Sequence, residues 1–180
     1  MIKLFLKIIK TSQNTIKVDE FDSDGIKFES LGKKTRSKIT HLFGGSLAIR
    51  QIDAGSDNSA EQELVALSNT FYDLERFGIH FVASPKHADM LFVTGPVTRN
   101  MAEALRRAYE ATPDPKIVVA VGDDAISGGI YKGSYAIVGA VSDVLPVDFS
   151  IPGDPPSPKV ILGHLLRIMK ELENQSFKKK

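Results

Sequence analysis

From Ser46 onward, two kinds of hydrophobic pattern alternate along the chain. Short apolar runs typical of buried strands are separated by stretches in which apolar side chains recur every three or four residues, as in amphipathic helices. This strand–helix alternation predicts an open, mainly parallel α/β sheet with helices on both faces. The predicted strands are SLAIRQIDA (46–54), IHFVAS (79–84), ADMLFVTG (88–95), KIVVAVGD (116–123), YAIVGAV (135–141) and VLPVDFSI (144–151).

Three helices are predicted between or after these strands. The first, AEQELVALSNTF, follows Ser59, which has capping-box spacing to Gln62. The second covers residues 99–111, and the third is expected to start with Ser157 as N-cap and Pro158 at its first position. The apolar faces of these last two helices are predicted to comprise Met101, Ala104, Leu105, Ala108, Ile161, Leu165, Ile168 and Leu172.

Residues 1–45 differ from the rest of the chain. They open with MIKLFLKIIK, which is apolar and basic but lacks the small-residue cleavage site of a signal peptide. The following residues mix Lys, Asp, Ser and Gly with weak periodicity, so we expect an irregular N-terminal extension that is partly ordered or docks on a partner. One domain is expected for residues 46–173, followed by a basic tail at 174–180.

Composition narrows the classes of function. The formal net charge of +1 gives no indication of a nucleic-acid partner, and no apolar run reaches the ~20 residues of a transmembrane helix. The chain has no cysteine, which excludes disulfides, thiolate metal sites and a thiol nucleophile. No activated nucleophile or acid–base pair is evident either, so we do not expect an enzyme that is catalytic alone.

Three glycine- and aspartate-containing loops follow predicted strands. They are AGSDNSA (54–60), VGDDAISGG (121–129) and IPGDPPSP (151–158). Ligands of open α/β sheets bind beyond the carboxyl ends of the strands, so Asp57, Asp124 and Asp154 are predicted to converge on one crevice. Three carboxylates with backbone carbonyls would suit Mg²⁺ or Ca²⁺. Alternatively, these aspartates are polar residues that cap loops and helix starts, as expected for Asp57 before a helix N-terminus.

Four motifs occur in order between Ser46 and Leu172: YDLERFG, SPKHAD, VTGPVT and PVDFSIPGDPPSP. With them the chain resembles the small electron-transfer subunit shared by respiratory complex I (the 20 kDa, B-type subunit) and the membrane-bound, energy-converting [NiFe] hydrogenases. The segment GSDNSAEQE is closest to the hydrogenase branch. Pattern and resemblance together predict a flavodoxin-like α/β domain.

The resemblance implies a [4Fe–4S] cluster held by four cysteines, and these fall on Asp57, Ala60, Asp124 and Asp154. None of the four is a cysteine, so no cofactor is expected from this chain. The chain also departs from the family pattern at Ala54, Ser59 and Gln62. Glu61 and Glu63 match acidic positions near the cluster, and we expect them to be exposed first-turn residues or subunit contacts.

The resemblance further implies a subunit of an NADH–quinone oxidoreductase-like or hydrogenase-like complex. Its partners would be a large hydrogenase-like or complex I-like subunit and membrane subunits, on the inner face of the cytoplasmic membrane. Without cluster ligands, the electron-transfer role gives way to a structural or coupling role. Two alternatives stay open: a stand-alone binding or regulatory domain with a metal or small ligand in the three-Asp crevice, and a cluster whose ligands come from another subunit.

Overall fold

The structure is a computed structural model that describes the backbone of residues 18–178 and the side chains of residues 27–174. The apolar and basic opening segment, residues 1–10, and the last two residues of the predicted basic tail lie outside the described residues. The helices are α1 (Val18–Phe43), α2 (Ser59–Ala66), α3 (Arg99–Ala111), α4 (Asp123–Ser127) and α5 (Pro158–Lys178). The strands are β1 (Leu47–Asp53), β2 (Ile79–Phe81), β3 (Met90–Thr94), β4 (Val97–Thr98), β5 (Ile117–Val121), β6 (Ile137–Gly139) and β7 (Phe149–Ile151).

The main sheet has five parallel strands in the order β2-β1-β3-β5-β7. Phe92 of β3 lies in register with Gln51 of β1 on one side and Val119 of β5 on the other. The direction of strand addition reverses between β1 and β3, which is the order of flavodoxin-like folds and confirms the predicted fold class. The predicted strand at 135–141 does not join this sheet, because β6 forms an antiparallel pair with β4.

Both faces of the sheet are buried. Alternate residues of β3 enter different cores: Met90 and Phe92 pack with α1, α2 and α5, whereas Leu91 and Val93 pack with α3 and α4. All five β3 residues are buried. This double coverage explains why β5, and β3 up to Val93, are apolar at consecutive positions instead of at every second one.

The second half of α1 packs against the domain, although residues 1–45 were predicted to be irregular. Its buried positions are Phe28, Gly32, Thr35 and Ile39, which recur at helical spacing. The Phe28 ring lies 4.9 Å from the Tyr72 ring between centroids. The stripe is inconspicuous in the sequence because two of its four residues are Gly and Thr. The domain boundaries at 46–173 and 174–180 stay a prediction.

Both ends of α3 and the start of α5 agree with the predictions, whereas α5 continues to Lys178, into the predicted tail, and α2 differs. α2 begins at Ser59 and ends at Ala66, and its N-cap is Asn58 with a left-handed φ of 74°. The predicted capping box is therefore wrong, since the residue before Ser59 holds the cap position. In α3 the buried residues are Ala102 and Leu105, and Ala104 is exposed.

Candidate functional site

The loops that follow β1, β5 and β7 meet at the carboxyl end of the sheet. With Gly95 after β3, they line one small crevice. The crevice is where the structure places all four positions that the resemblance assigns to cluster cysteines. Those positions are Asp57, Ala60, Asp124 and Asp154. Because parallel strands end at one edge of a sheet, loops more than 90 residues apart in sequence share this site.

Side chains of the β1 loop hydrogen bond to its own backbone. Asp53 Oδ1 accepts the N–H groups of Gly55 at 2.8 Å and Ser56 at 2.9 Å. Ser56 Oγ accepts the N–H of Asn58 at 2.8 Å, and Asp57 Oδ1 accepts the N–H of Ser59 at 3.0 Å. Such short-range bonds are typical of Asp and Ser in turns. They lead the chain directly from β1 into α2.

Glu61 is buried, contrary to the prediction that it is exposed. The residue is only 6% exposed. One carboxylate oxygen accepts the Ser56 hydroxyl, and the other accepts the hydroxyl of Thr94 at the end of β3. We call these three residues the Glu61 clamp. Glu61 lies in the first turn of α2, which begins at Ser59, and faces the edge of the sheet where the two hydroxyls lie. Glu63, which was also predicted to be exposed, is half-buried.

The β5 and β7 loops are joined by backbone hydrogen bonds. The Gly122 N–H donates to the Ile151 carbonyl at 2.9 Å, and the Asp123 N–H donates to the Gly153 carbonyl at 2.9 Å. In return, Asp123 Oδ1 accepts the Gly153 N–H at 3.0 Å. Gly153 has φ 138°, and an added Cβ would lie 2.6 Å from Pro156 Cα. Only glycine therefore suits this turn of IPGDPPSP.

The crevice carboxyl groups differ in their tendency to ionise. Burial raises the pKa of Asp124, and the negative charges of Asp154, Asp57 and Asp123 raise it further. In contrast, hydrogen bonds from the hydroxyl and backbone N–H of Ser59 lower the pKa of Asp57. Asp124 thus retains its proton to higher pH than Asp57 does.

The donor set does not fit a [4Fe–4S] cluster. Iron in these clusters is bound by soft thiolates, whereas the four positions offer three carboxylates and the methyl group of Ala60. Among residues whose side chains are described, no three Asp, Glu or His residues are arranged to hold a metal ion together. Asp57, Asp124 and Asp154 all line the crevice, and the charges of Asp57 and Asp154 act on Asp124. The three carboxylates are nevertheless not arranged as the ligands of one metal ion.

Two residues that organise the crevice were missed by sequence reasoning. Thr94 was placed only inside the predicted strand at 88–95, and Asp123 at the end of the predicted strand at 116–123. Asp123 is exposed, yet it joins the β5 and β7 loops. Their place at strand carboxyl ends is the signal that could have identified both, since side chains there face the crevice.

Comparison with known proteins identifies relatives among components of respiratory complexes. The B-type NADH-quinone oxidoreductase subunit of Bacteroides thetaiotaomicron is 43% identical over 179 residues, covering 93% of this chain and 90% of the relative. A probable membrane-bound hydrogenase subunit of Pyrococcus furiosus is 37% identical over 140 residues, covering 78% and 84%. A chain of the archaeal membrane-bound sulfane sulfur reductase superposes with a TM-score of 0.64 at 36% identity, covering 72% of this chain and 71% of its own.

Within residues 18–178, no helix has the length and apolar character needed to cross a membrane. The matching family is described as "NADH ubiquinone oxidoreductase, 20 Kd subunit", and its match extends over residues 58–168. That range contains three of the four crevice positions inferred from the resemblance, Ala60, Asp124 and Asp154, and begins one residue after Asp57. Sequence, fold and motif order agree, and the chain is a member of the NADH ubiquinone oxidoreductase 20 kDa subunit family.

Proposed function

We propose that this chain is the small subunit of a membrane-associated oxidoreductase complex and that it carries no iron–sulfur cluster. The observation that carries the proposal is the crevice itself. Asp57, Ala60, Asp124 and Asp154 line it together, and none can supply a thiolate. The chain occupies the place of an electron-transfer subunit but has a structural or coupling role, and it is not catalytic alone.

The proposed partners are a large hydrogenase-like or complex I-like subunit and membrane subunits. Exposed apolar side chains beside the crevice support a docking face there. Ile130 is 87% exposed and Tyr135 is 90% exposed, and both follow α4. Gly129, next to Ile130, lies directly against the Asp124 carboxylate. With such partners the chain would sit peripherally on the inner face of the cytoplasmic membrane.

Affinity purification from native membranes tests the partners. The tagged full chain is expected to recover a large oxidoreductase subunit together with membrane subunits, identified by mass spectrometry. Ile130→Asp combined with Tyr135→Asp should reduce this recovery at least tenfold, because charges in an apolar interface oppose docking. Val65→Asp places the same charge on an exposed apolar residue of α2 and is the control. Recovery of the chain alone would overturn the complex and favour a stand-alone binding domain.

Iron analysis tests the absence of a cluster. The purified full chain, incubated anaerobically with iron and sulfide, is expected to retain no stoichiometric iron or acid-labile sulfide. Retention of about four irons per chain would overturn this part of the proposal. The same measurement on the purified complex, with absorption spectra before and after removal of this chain, tests whether another subunit supplies ligands to a cluster in the crevice.

A further inference from the structure

The mismatch between the crevice and a cluster raises a physical problem. Loops that ligate a metal centre obtain much of their order from the metal–ligand bonds, because binding free energy is also folding free energy. The β1, β5 and β7 loops cannot obtain it from thiolate–iron bonds, since the chain has no cysteine. Their order must come from bonds within the protein, from a partner, or from another ligand.

We infer that the Glu61 clamp orders the β1 loop in this chain, so that this loop is folded without any inorganic group. This inference deepens the proposed cluster-free role and rests on it. Glu61 is a positioning residue in this assignment: it binds no ligand and acts by fixing Ser56 and the end of β3.

The clamp joins the β1 loop and α2 to the end of β3, which carries none of the four cluster positions. Glu61 reaches Ser56 in the β1 loop and Thr94 in β3, which is 33 residues away in sequence. Ser56 in turn binds the N–H of Asn58, the N-cap residue of α2. A buried carboxylate with a hydroxyl donor on each oxygen satisfies its hydrogen bonds. Its removal breaks both of these bonds and leaves Ser56 with only the Asn58 N–H and Thr94 with only the Ile52 carbonyl, so that the β1 loop loses its side-chain link to β3.

The β5 and β7 loops have their own independent connection. It consists of the three hydrogen bonds between residues 122–123 and 151–153. The two halves of the crevice meet at small residues: a Cβ added to Gly122 would lie 3.7 Å from the Ala60 Cβ. Ala60, at the second of the four cluster positions, is 5% exposed and therefore buried. The clamp therefore has a local effect that can be separated from the other loops.

Hydrogen exchange of the full chain in the presence of an iron chelator tests the clamp. The amides of Asn58 and Ser59 are expected to exchange on the order of 10²-fold more slowly than in an unstructured peptide. Glu61→Ala should reduce that protection about tenfold or more and lower the Tm by roughly 4–8 °C, leaving the amides of Gly122 and Gly153 unchanged. Glu61→Gln should have a smaller effect, because the amide retains one acceptor.

Glu63→Ala is the matched control, since Glu63 lies on the same helix and outside the clamp. Unprotected Asn58 and Ser59 amides in the metal-free wild-type chain would overturn the inference, as would equal effects of Glu61→Ala and Glu63→Ala. If Glu61→Ala does not fold, hydrogen exchange of the Asn58 and Ser59 amides in the wild type and in Glu61→Gln still tests the inference. These outcomes are independent of partner recovery, so failure of the clamp is distinguishable from failure of the proposed complex.

Discussion

Asp124 should make the stability of the isolated chain depend on pH. Its pKa is raised in the folded state by burial and by Asp154, Asp57 and Asp123, above the ordinary 3.8. Between 3.8 and the folded pKa, the folded state binds more protons than the unfolded state, so this group lowers stability as pH rises. Asp124→Asn is therefore expected to raise the Tm at pH 7. The increase should disappear below about pH 3.8, as measured by thermal unfolding across pH.

Asp57 gives the control of opposite sign. Hydrogen bonds from Ser59 lower its folded pKa below 3.8, so its contribution is present above that pH and is lost as pH falls through the folded pKa. Asp57→Asn should slightly lower the Tm at pH 7, with the effect limited by solvent screening. If both substitutions change the Tm in the same direction, the carboxylates are not arranged as described.

Gly95, directly after β3, packs against Ser56 of the β1 loop. It has φ 72°, and an added Cβ would overlap the backbone and side chain of Ser56. Gly95→Ala is expected to cost roughly 2–5 kcal/mol, combining left-handed strain with overpacking. Gly133→Ala is the control, because Gly133 has φ 86° but no atom within 4 Å of the added Cβ. It should cost only about 1–2 kcal/mol. Urea unfolding measures both, and equal losses would show that the two loops are not in contact.

At the scale of elements, the sequence predicted those with a clear apolar run or a clear helical period, such as β3, β5 and α3. β3 and β5 were identified because strands buried on both faces read as continuous apolar runs. α1 was missed because its buried stripe includes Gly32 and Thr35. Gly32 is required there by the Phe77 ring, which lies where a Cβ would be. Tertiary contacts of this kind leave no periodic signal in the sequence.

Docking of α1 on the domain is testable with one buried ring. Phe28 is 3% exposed and packs against Tyr72 and Phe77, at ring-centroid distances of 4.9 and 6.1 Å. Phe28→Ala should destabilise the isolated chain by about 3–5 kcal/mol, as expected for a buried aromatic residue. Lys34→Ala, at an exposed position of α1, should change stability by less than about 0.5 kcal/mol. A neutral Phe28→Ala would mean that α1 orders only against a partner.

For the whole molecule, the position of the site was predictable and its internal bonding was not. Convergence of the three loops follows from parallel topology alone. In contrast, burial of Glu61 depends on hydroxyls of Ser56 and Thr94 that come from two different strand ends. Likewise, Asp123 gains its role only because Gly153 lies beside it. Hydrogen bonds between distant segments depend on three-dimensional placement, which residue spacing does not encode.

The match of crevice positions to the family's cluster ligands predicts that cysteines placed there can hold a cluster. A variant with cysteine replacing Asp57, Ala60, Asp124 and Asp154 places four thiols around one crevice. After anaerobic incubation with iron and sulfide it should bind about four irons per chain, whereas the wild type should bind none. A variant that retains Ala60 is the matched control and should hold its iron less tightly. If circular dichroism shows the four-cysteine variant to be folded and it still binds no iron, these positions are not equivalent to the family's ligands. The loss of cysteines would then have been accompanied by a change in loop geometry.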